Sequence, residues 1–244
     1  MKILSIGNSF SEDAQRYLHR LAKKEGECFK TVNLYIGGCS LRTHYLNMLE
    51  NNDAYVFHFN GENTGLPISI KQALMSDDWD VVTLQQASHY SAKQGTYSPY
   101  IEKLAECVKQ YCPHAKIYLH QTWAYEDESD RLMNVGGYST AKEMLDDIRK
   151  AYKYAAQLVC ADGIIPCGQA MYQAVAFGIG KIHRDTFHAS LGAGRYLLAL
   201  TWYKALTGAD ISNNDFNDFD IPVSEEERAI VVRAVNAVFE EIER

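Results

Sequence analysis

Asp185 and His188 are the pair of residues best spaced for proton transfer in this chain. A carboxylate three residues before a histidine can fold back and accept the imidazole Nδ1–H, which leaves Nε2 free to take a proton from a serine. Chance pairs with this spacing are common in 244 residues. The position of the pair just before a long predicted helix favours a functional role.

A serine near the start of the chain could be the nucleophile for such a histidine. The first apolar run gives way to the sequence G-N-S-F-S at residues 7–11, and a helix follows. Gly7 permits a tight turn, which would place Ser9 beside helical N–H groups that favour a negatively charged oxygen. The alternative is that Ser9 or Ser11 only caps this helix. The segment alone leaves both interpretations open.

Two other predicted strands end in groups that could face a ligand. The second strand is followed by Gly37 and Gly38, which allow close approach of the backbone to a ligand or form an ordinary turn. The third strand is followed by Gln85 and Gln86, whose amides could donate into a cleft or could be ordinary loop residues. Because side chains alternate along a strand, only one of these glutamines can face the cleft.

The elements that position these residues alternate between short β-rich runs and longer amphipathic segments. The predicted strands lie at residues 2–6, 31–36, 80–84, 116–120 and 163–165. The predicted helices lie at residues 11–25, 41–51, 69–75, 99–111, 140–160, 169–177, 190–206 and 224–243. Apolar strands separated by helices indicate a parallel sheet covered on both faces, which is a three-layer α/β/α sandwich. Ligands of such sheets bind outside the carboxyl ends of the strands.

The chain is expected to form one domain over residues 1–244, because it contains no repeat, low-complexity segment or linker-like run. Residues 54–60, followed by G-E-N at 61–63, alternate in a way that predicts a small hairpin.

The motifs taken together resemble those of the SGNH/GDSL hydrolases. The string at residues 7–11 resembles their first block, usually G-D-S; Gly38 matches the glycine of their second block; and residues 185–188 match their D-x-x-H block. The strings at residues 84–89 and 188–197 resemble an uncharacterised bacterial branch of that superfamily. The resemblance implies a flavodoxin-like sandwich whose central parallel sheet has about five strands.

The resemblance implies a carboxylic ester hydrolase that forms an acyl-enzyme. Ser9 would be the nucleophile, His188 the general base and Asp185 the residue that orients the imidazole. The amides of Ser9 and Gly38 would belong to the oxyanion hole. Such an enzyme needs neither a metal nor an organic cofactor.

The chain departs from the family pattern at two positions. Asn8 replaces the usual aspartate of the first block, at a position that is structural rather than chemical. The G-x-N-D block, whose asparagine donates to the oxyanion, is missing after the third strand. Carbohydrate-esterase relatives use a glutamine at that strand end, so Gln85 is expected to be the third donor, with Gln86 as the second choice.

The expected substrate is a small-molecule or glycan ester with a short acyl group, best an acetyl group on a carbohydrate. No segment is typical of a long apolar lid, which disfavours the lipase- or thioesterase-type alternative. Aromatic residues that would suit sugar rings or acyl chains, or that would simply pack in the core, are expected near the cleft; they are Tyr90, Tyr97, Trp123, Tyr125 and Tyr138.

Charge and composition exclude several other classes. The formal net charge of −7 disfavours nucleic acid and anionic lipid as partners, since both need a basic surface. No apolar run reaches the roughly 18–20 residues of a membrane span. The six cysteines form no C-x-x-C pair and are too sparse for a disulfide scaffold. The cytoplasm is therefore the expected location, with the periplasm or secretion as the alternative.

The sequence leaves three alternatives to this assignment: two other functions and one other catalytic base. A metal-dependent hydrolase is disfavoured because no histidines show H-x-x-x-H or H-E-x-x-H spacing. A non-catalytic carbohydrate-binding relative would explain the missing G-x-N-D block. In the third alternative, His183 rather than His188 is the base, although its position two residues before Asp185 is poorer for a local hydrogen bond.

Overall fold

A sheet of seven strands in the order β4-β3-β2-β1-β5-β6-β7 forms the centre of the computed structural model, which describes residues 1–242. The strands are β1 (Lys2–Gly7), β2 (Lys30–Tyr35), β3 (Tyr55–Phe59), β4 (Glu62–Ile68), β5 (Val81–Leu84), β6 (Lys116–His120) and β7 (Gly163–Ile165). Strands β2, β1, β5, β6 and β7 are parallel to one another. Strands β3 and β4 extend the sheet beyond β2 and pair in antiparallel fashion.

Helices cover both faces of this sheet. They are α1 (Ser9–Gln15), α2 (Leu18–Lys24), α3 (Leu41–Glu50), α4 (Ile70–Met75), α5 (Tyr100–Tyr111), α6 (Ala141–Val159), α7 (Cys167–Ala176), α8 (Ala193–Thr207) and α9 (Glu225–Ile242). One core lies between the sheet and α1, α2, α7, α8 and α9, and a second core lies between the sheet and α3 to α6. The predicted three-layer α/β/α sandwich is confirmed.

The central strands are buried along most of their length because both of their faces are covered, although Ser5, Asn33 and Thr83 in them are polar. In β1, Ile3 packs into one core and Leu4 into the other, as alternation of side chains requires. All four residues of β5 are buried. This arrangement leaves the carboxyl ends of the strands as the place where the chain turns towards solvent.

The sheet has more strands than the predicted five, because the hairpin of β3 and β4 joins it. The turn of this hairpin is Asn60-Gly61, both with positive φ, which suits the right-handed twist of paired strands. Asn60 Oδ1 accepts a hydrogen bond of 2.9 Å from the Thr31 amide, so the turn is fixed to β2. Strand β4 is exposed and includes Gly65 and Pro67. It therefore has no alternating apolar pattern from which the sequence could predict a strand.

Two predicted helices differ most from the structure in their bounds. The helix predicted at 11–25 is divided into α1 and α2, and the break lies where the Gly61 backbone approaches the Arg16 carbonyl oxygen. The helix predicted from residue 190 begins at Ala193, because Ser190 instead accepts a hydrogen bond from the Gly194 amide through its hydroxyl. The predicted end of the last helix, Glu243, lies outside the described residues. Within residues 1–242, no helix combines the length and apolar character that a membrane crossing requires.

Gly168 in α7 is predicted to be intolerant of a side chain. A Cβ at this position would lie 2.4 Å from the Thr122 carbonyl oxygen. We expect Gly168→Ala to lower the free energy of unfolding by about 1–3 kcal/mol through overpacking. Gly95→Ala is the control, because a Cβ there meets no atom within 4 Å. Urea denaturation of the two variants measures the difference, and equal midpoints would contradict the close approach of α7 to the Thr122 backbone.

Candidate active site

Ser9 is the first residue of α1 and lies at the carboxyl end of the central strand β1. Asn8 is the N-cap of α1: its Oδ1 accepts from the Phe10 amide at 2.9 Å, and its own N–H donates to Ser11 Oγ at 3.0 Å. Asn8 and Ser11 thus cap the helix, and the Ser9 side chain has no capping role. Gly7 is required behind this turn, because a Cβ there would lie 2.1 Å from Ser11 Oγ.

Ser9, His188 and Asp185 form a continuous hydrogen-bonded chain. The Ser9 Oγ lies 2.9 Å from His188 Nε2, and His188 Nδ1 lies 2.8 Å from Asp185 Oδ2. Partial burial raises the pKa of the Asp185 carboxyl, but hydrogen bonds from the side chain and backbone of His188 outweigh it and leave that pKa lowered. An ionised Asp185 favours the Nδ1–H tautomer, whose Nε2 can accept the serine proton.

The turn that carries Asp185 and His188 is held from both sides. Asp185 Oδ1 accepts from the His188 amide at 2.8 Å, and Thr186 between them has a left-handed φ of 70°. The Thr186 carbonyl accepts from the Glu126 amide at 2.9 Å, and the Trp123 indole donates to the Phe187 carbonyl at 2.7 Å. A β-branched residue keeps a positive φ only when its surroundings fix it. The loop after β6 provides those surroundings.

A buried ion cluster joins this turn to α1. Asp13 is fully buried, and both of its carboxylate oxygens accept from Arg184 Nη1, at 2.9 and 2.8 Å. Arg195 Nε donates to the same carboxylate at 2.8 Å. Asp13 lies four residues after Ser9, and Arg184 directly precedes Asp185. The cluster therefore fixes the segment of the nucleophile against the segment of the base.

Two backbone amides beside Ser9 are available as hydrogen-bond donors. Within residues 1–242, neither the Ser9 N–H nor the Gly38 N–H has an acceptor in the protein. Gly38 has a φ of 62° in the turn closed by the Cys39 amide and the Ile36 carbonyl, a conformation that favours glycine. Asn8 Nδ2 donates to the Cys39 carbonyl at 3.1 Å and so ties this turn to the serine turn.

The structure places Gln85 behind the serine turn rather than in the cleft. Its side chain is 2% exposed, its Nε2 donates to Asn8 Oδ1 at 2.6 Å, and its Oε1 lies 2.8 Å from His120 Nδ1. Gln86 is also buried, and its Oε1 accepts from the Leu41 amide at 3.0 Å. The expectation that one of them faces the cleft is wrong, because β5 ends at Leu84 and both side chains satisfy buried polar groups.

A cleft of about 410 Å³ opens beside Ser9. It is lined by Asn8, Ser9, Phe10, Glu12, Tyr35, Gly37, Gly38, Ser88, His89, Arg131, Arg184, Phe187 and His188. None of the five aromatic residues expected near the cleft lines it. Tyr97, Trp123 and Tyr125 belong to the core, where Trp123 stacks on Phe10 with ring centroids 4.0 Å apart. Sequence reasoning missed Glu12, although its position one helical turn after Ser9 places both on one face.

His183 lies in a different environment from His188. Its ring is 6% exposed, and its Nδ1 lies 3.3 Å from Glu126 Oε1. Burial lowers the pKa of His183 to about 4. It lines a separate cavity of about 210 Å³, whereas Ser9 and His188 share the cleft described above. In the described part of the chain, no three His, Cys, Asp or Glu side chains are grouped to hold a metal.

The sheet and the helices on its two faces have the fold of the SGNH hydrolases. A protein from Slackia heliotrinireducens, provisionally described as an SGNH hydrolase, is 24% identical, with a TM-score of 0.59 over 84% of this chain and 98% of that one. An acetylxylan esterase from Geobacillus stearothermophilus is 15% identical, with a TM-score of 0.52 over 84% of this chain and 94% of that one. No curated protein matches the sequence significantly.

The chain belongs to the DUF4886 family, a domain family of unknown function whose model matches residues 2–237. A crystal structure of a DUF4886 family protein from Bacteroides uniformis is 32% identical, with a TM-score of 0.92. The alignment covers 100% of this chain and 96% of that one.

Removal of one partner of the buried ion cluster is predicted to destabilise the fold. Arg184→Met leaves the buried Asp13 charge with Arg195 alone, and we expect it to lower the free energy of unfolding by about 3 kcal/mol. Arg149→Met, in an exposed pair with Glu241, is the matched control and should cost about 0–1 kcal/mol. Adding Asp13→Asn to Arg184→Met should recover part of the loss. Equal stability of the two single variants in thermal or urea unfolding would contradict this prediction.

Proposed function

We propose that this chain is a serine ester hydrolase with Ser9 as its nucleophile. The observation that carries the proposal is the unbroken hydrogen-bonded chain from Ser9 through His188 to Asp185, which opens onto a cleft at the carboxyl ends of the strands. The serine, the base and the residue that orients the base are the three parts of a nucleophilic triad. Solved structures with this fold include esterases of carbohydrates.

The proposed reaction proceeds in two steps. Ser9 Oγ attacks the ester carbonyl while His188 Nε2 takes its proton, and the resulting imidazolium then protonates the leaving alcohol. Water attacks the acyl-enzyme with His188 again as the base, which releases the acid and restores the serine hydroxyl. Asp185 orients His188 and stabilises its charged form in both steps.

The amides of Ser9 and Gly38 are the proposed oxyanion hole. Both N–H groups lack a protein acceptor within the described residues, and both residues line the cleft. Loss of one such donor typically costs about 100- to 1,000-fold in rate. Gln85 contributes indirectly, since its hydrogen bond to Asn8 fixes the turn that presents the Ser9 amide.

The proposed substrate carries a short acyl group, best an acetyl group, on a carbohydrate. Phe10 and Phe187 are the large apolar side chains among the cleft residues, and the remaining lining is small or polar. Long acyl chains need an extended apolar surface that this lining does not offer. Solved structures with this fold include an acetylxylan esterase, a family 3 carbohydrate esterase from Clostridium thermocellum and a protein provisionally described as a GDSL-like lipase, so the preference for a sugar ester rests on the cleft lining.

The direct test is hydrolysis of p-nitrophenyl acetate by the wild type and Ser9→Ala. We expect Ser9→Ala and His188→Ala to lose at least about 1,000-fold in kcat, since removal of a triad member has such effects. His183→Ala is the control for the second histidine and should retain activity, because His183 lies in another cavity.

Equal rates of the wild type and Ser9→Ala would overturn the esterase proposal, and loss of activity in His183→Ala alone would overturn the assignment of the base. Because Gln85 donates no hydrogen bond into the cleft, the oxyanion hole lacks a side-chain donor. This favours one alternative function, a carbohydrate-binding protein without turnover. That alternative predicts binding of acetylated glycans with no acetate released.

A further inference from the structure

Glu12 and Tyr35 are two polar residues of the cleft that the proposed reaction does not use. We infer that they form a subsite that binds hydroxyl groups on the alcohol part of the substrate, an inference that rests on the proposed esterase function. The subsite would select polyol esters, such as partly acetylated sugars, over esters of simple alcohols.

Glu12 presents an acceptor that no donor among the described residues satisfies. It lies one turn after Ser9 on α1 and lines the same cleft, with its side chain 30% exposed. No hydrogen bond to its carboxylate is formed by residues 1–242, and the His58 Nδ1 lies 3.7 Å from Oε1. Burial raises the pKa of Glu12, and neighbouring Asp13 adds to this effect. A half-buried carboxylate without a donor is a position where a substrate hydroxyl would be stabilised.

Tyr35 supplies a hydroxyl in the same cleft. It ends β2, and its ring stacks on His58 with centroids 4.9 Å apart and an interplanar angle of 14°. The ring is therefore held in place. Its hydroxyl forms no hydrogen bond with residues 1–242, and it lies beside Gly37, where an added Cβ would be 3.5 Å from it. Burial raises the pKa of Tyr35 and the Glu12 charge adds to it, so the hydroxyl keeps its proton as a donor.

The surrounding charges favour neutral hydroxyl groups over ionic groups. The cleft also contains Arg131 and Arg184, which would repel an ammonium group near Glu12. The Glu12 carboxylate would in turn repel an anion. A carboxylate that accepts and a phenol that can donate or accept are complementary to the hydroxyl groups of a sugar ring.

The test compares three acetyl esters that differ in their free hydroxyls: a monoacetylated methyl xyloside, the fully acetylated methyl xyloside and p-nitrophenyl acetate. We expect Glu12→Gln to lower kcat/KM for the monoacetate about 10- to 100-fold more than for the other two esters, through loss of a charge-assisted hydrogen bond. Tyr35→Phe keeps the ring and should show the same selectivity at about 3- to 10-fold. Glu106→Gln, on the exposed face of α5, is the control and should change none of the three rates.

Equal losses of Glu12→Gln on all three esters, or no loss on the monoacetate, would overturn the subsite. Acetylcholine provides a fourth arm, and a larger loss on this cation than on the monoacetate would also overturn it in favour of an ammonium site. Thermal unfolding of each variant separates these results from misfolding. Failure of the proposed function looks different, because the wild type would then hydrolyse none of the esters.

Discussion

The buried carboxylate of Asp13, hydrogen-bonded to Arg184 and Arg195, is the interaction on which the site depends. Asp13 and Arg184 are separated by 171 residues and belong to opposite ends of the chain. A buried charge is costly without partners, and two guanidinium groups replace the water it has lost. Here the cluster joins the segment of the nucleophile to the segment of the base.

This cluster acts together with local constraints on each side. Asn8 caps α1 and, through Gln85 and the Cys39 carbonyl, connects the first turn to its two neighbouring strand ends. On the other side, the loop after β6 holds Thr186 in its left-handed conformation. Ser9 and His188 are thus positioned by different parts of the fold that meet only in the folded state. As a consequence, Ser9 Oγ and His188 Nε2 lie 2.9 Å apart.

The sequence predicts the layered fold and four residues of the site, because their signals are local. Ser9, Gly38 and the Asp185/His188 pair each follow an apolar strand or precede a helix, and the structure brings them together. The role of Gln85 is not visible in the sequence, because its hydrogen-bond partners Asn8 and His120 lie at the ends of other strands. The ion cluster and the position of Tyr35 are also hidden in the sequence, because their partners are distant in the chain. Strand β4 has no alternating apolar pattern, and it is defined only by its pairing with β3.

The most direct test of this account is to label the protein with a fluorophosphonate and map the adduct by mass spectrometry. We expect one phosphonyl group per chain, located on Ser9, and a strongly reduced labelling rate in His188→Ala. An adduct on another residue, such as Ser11 or Ser88, would contradict it. So would a Ser9 adduct that forms equally fast without His188.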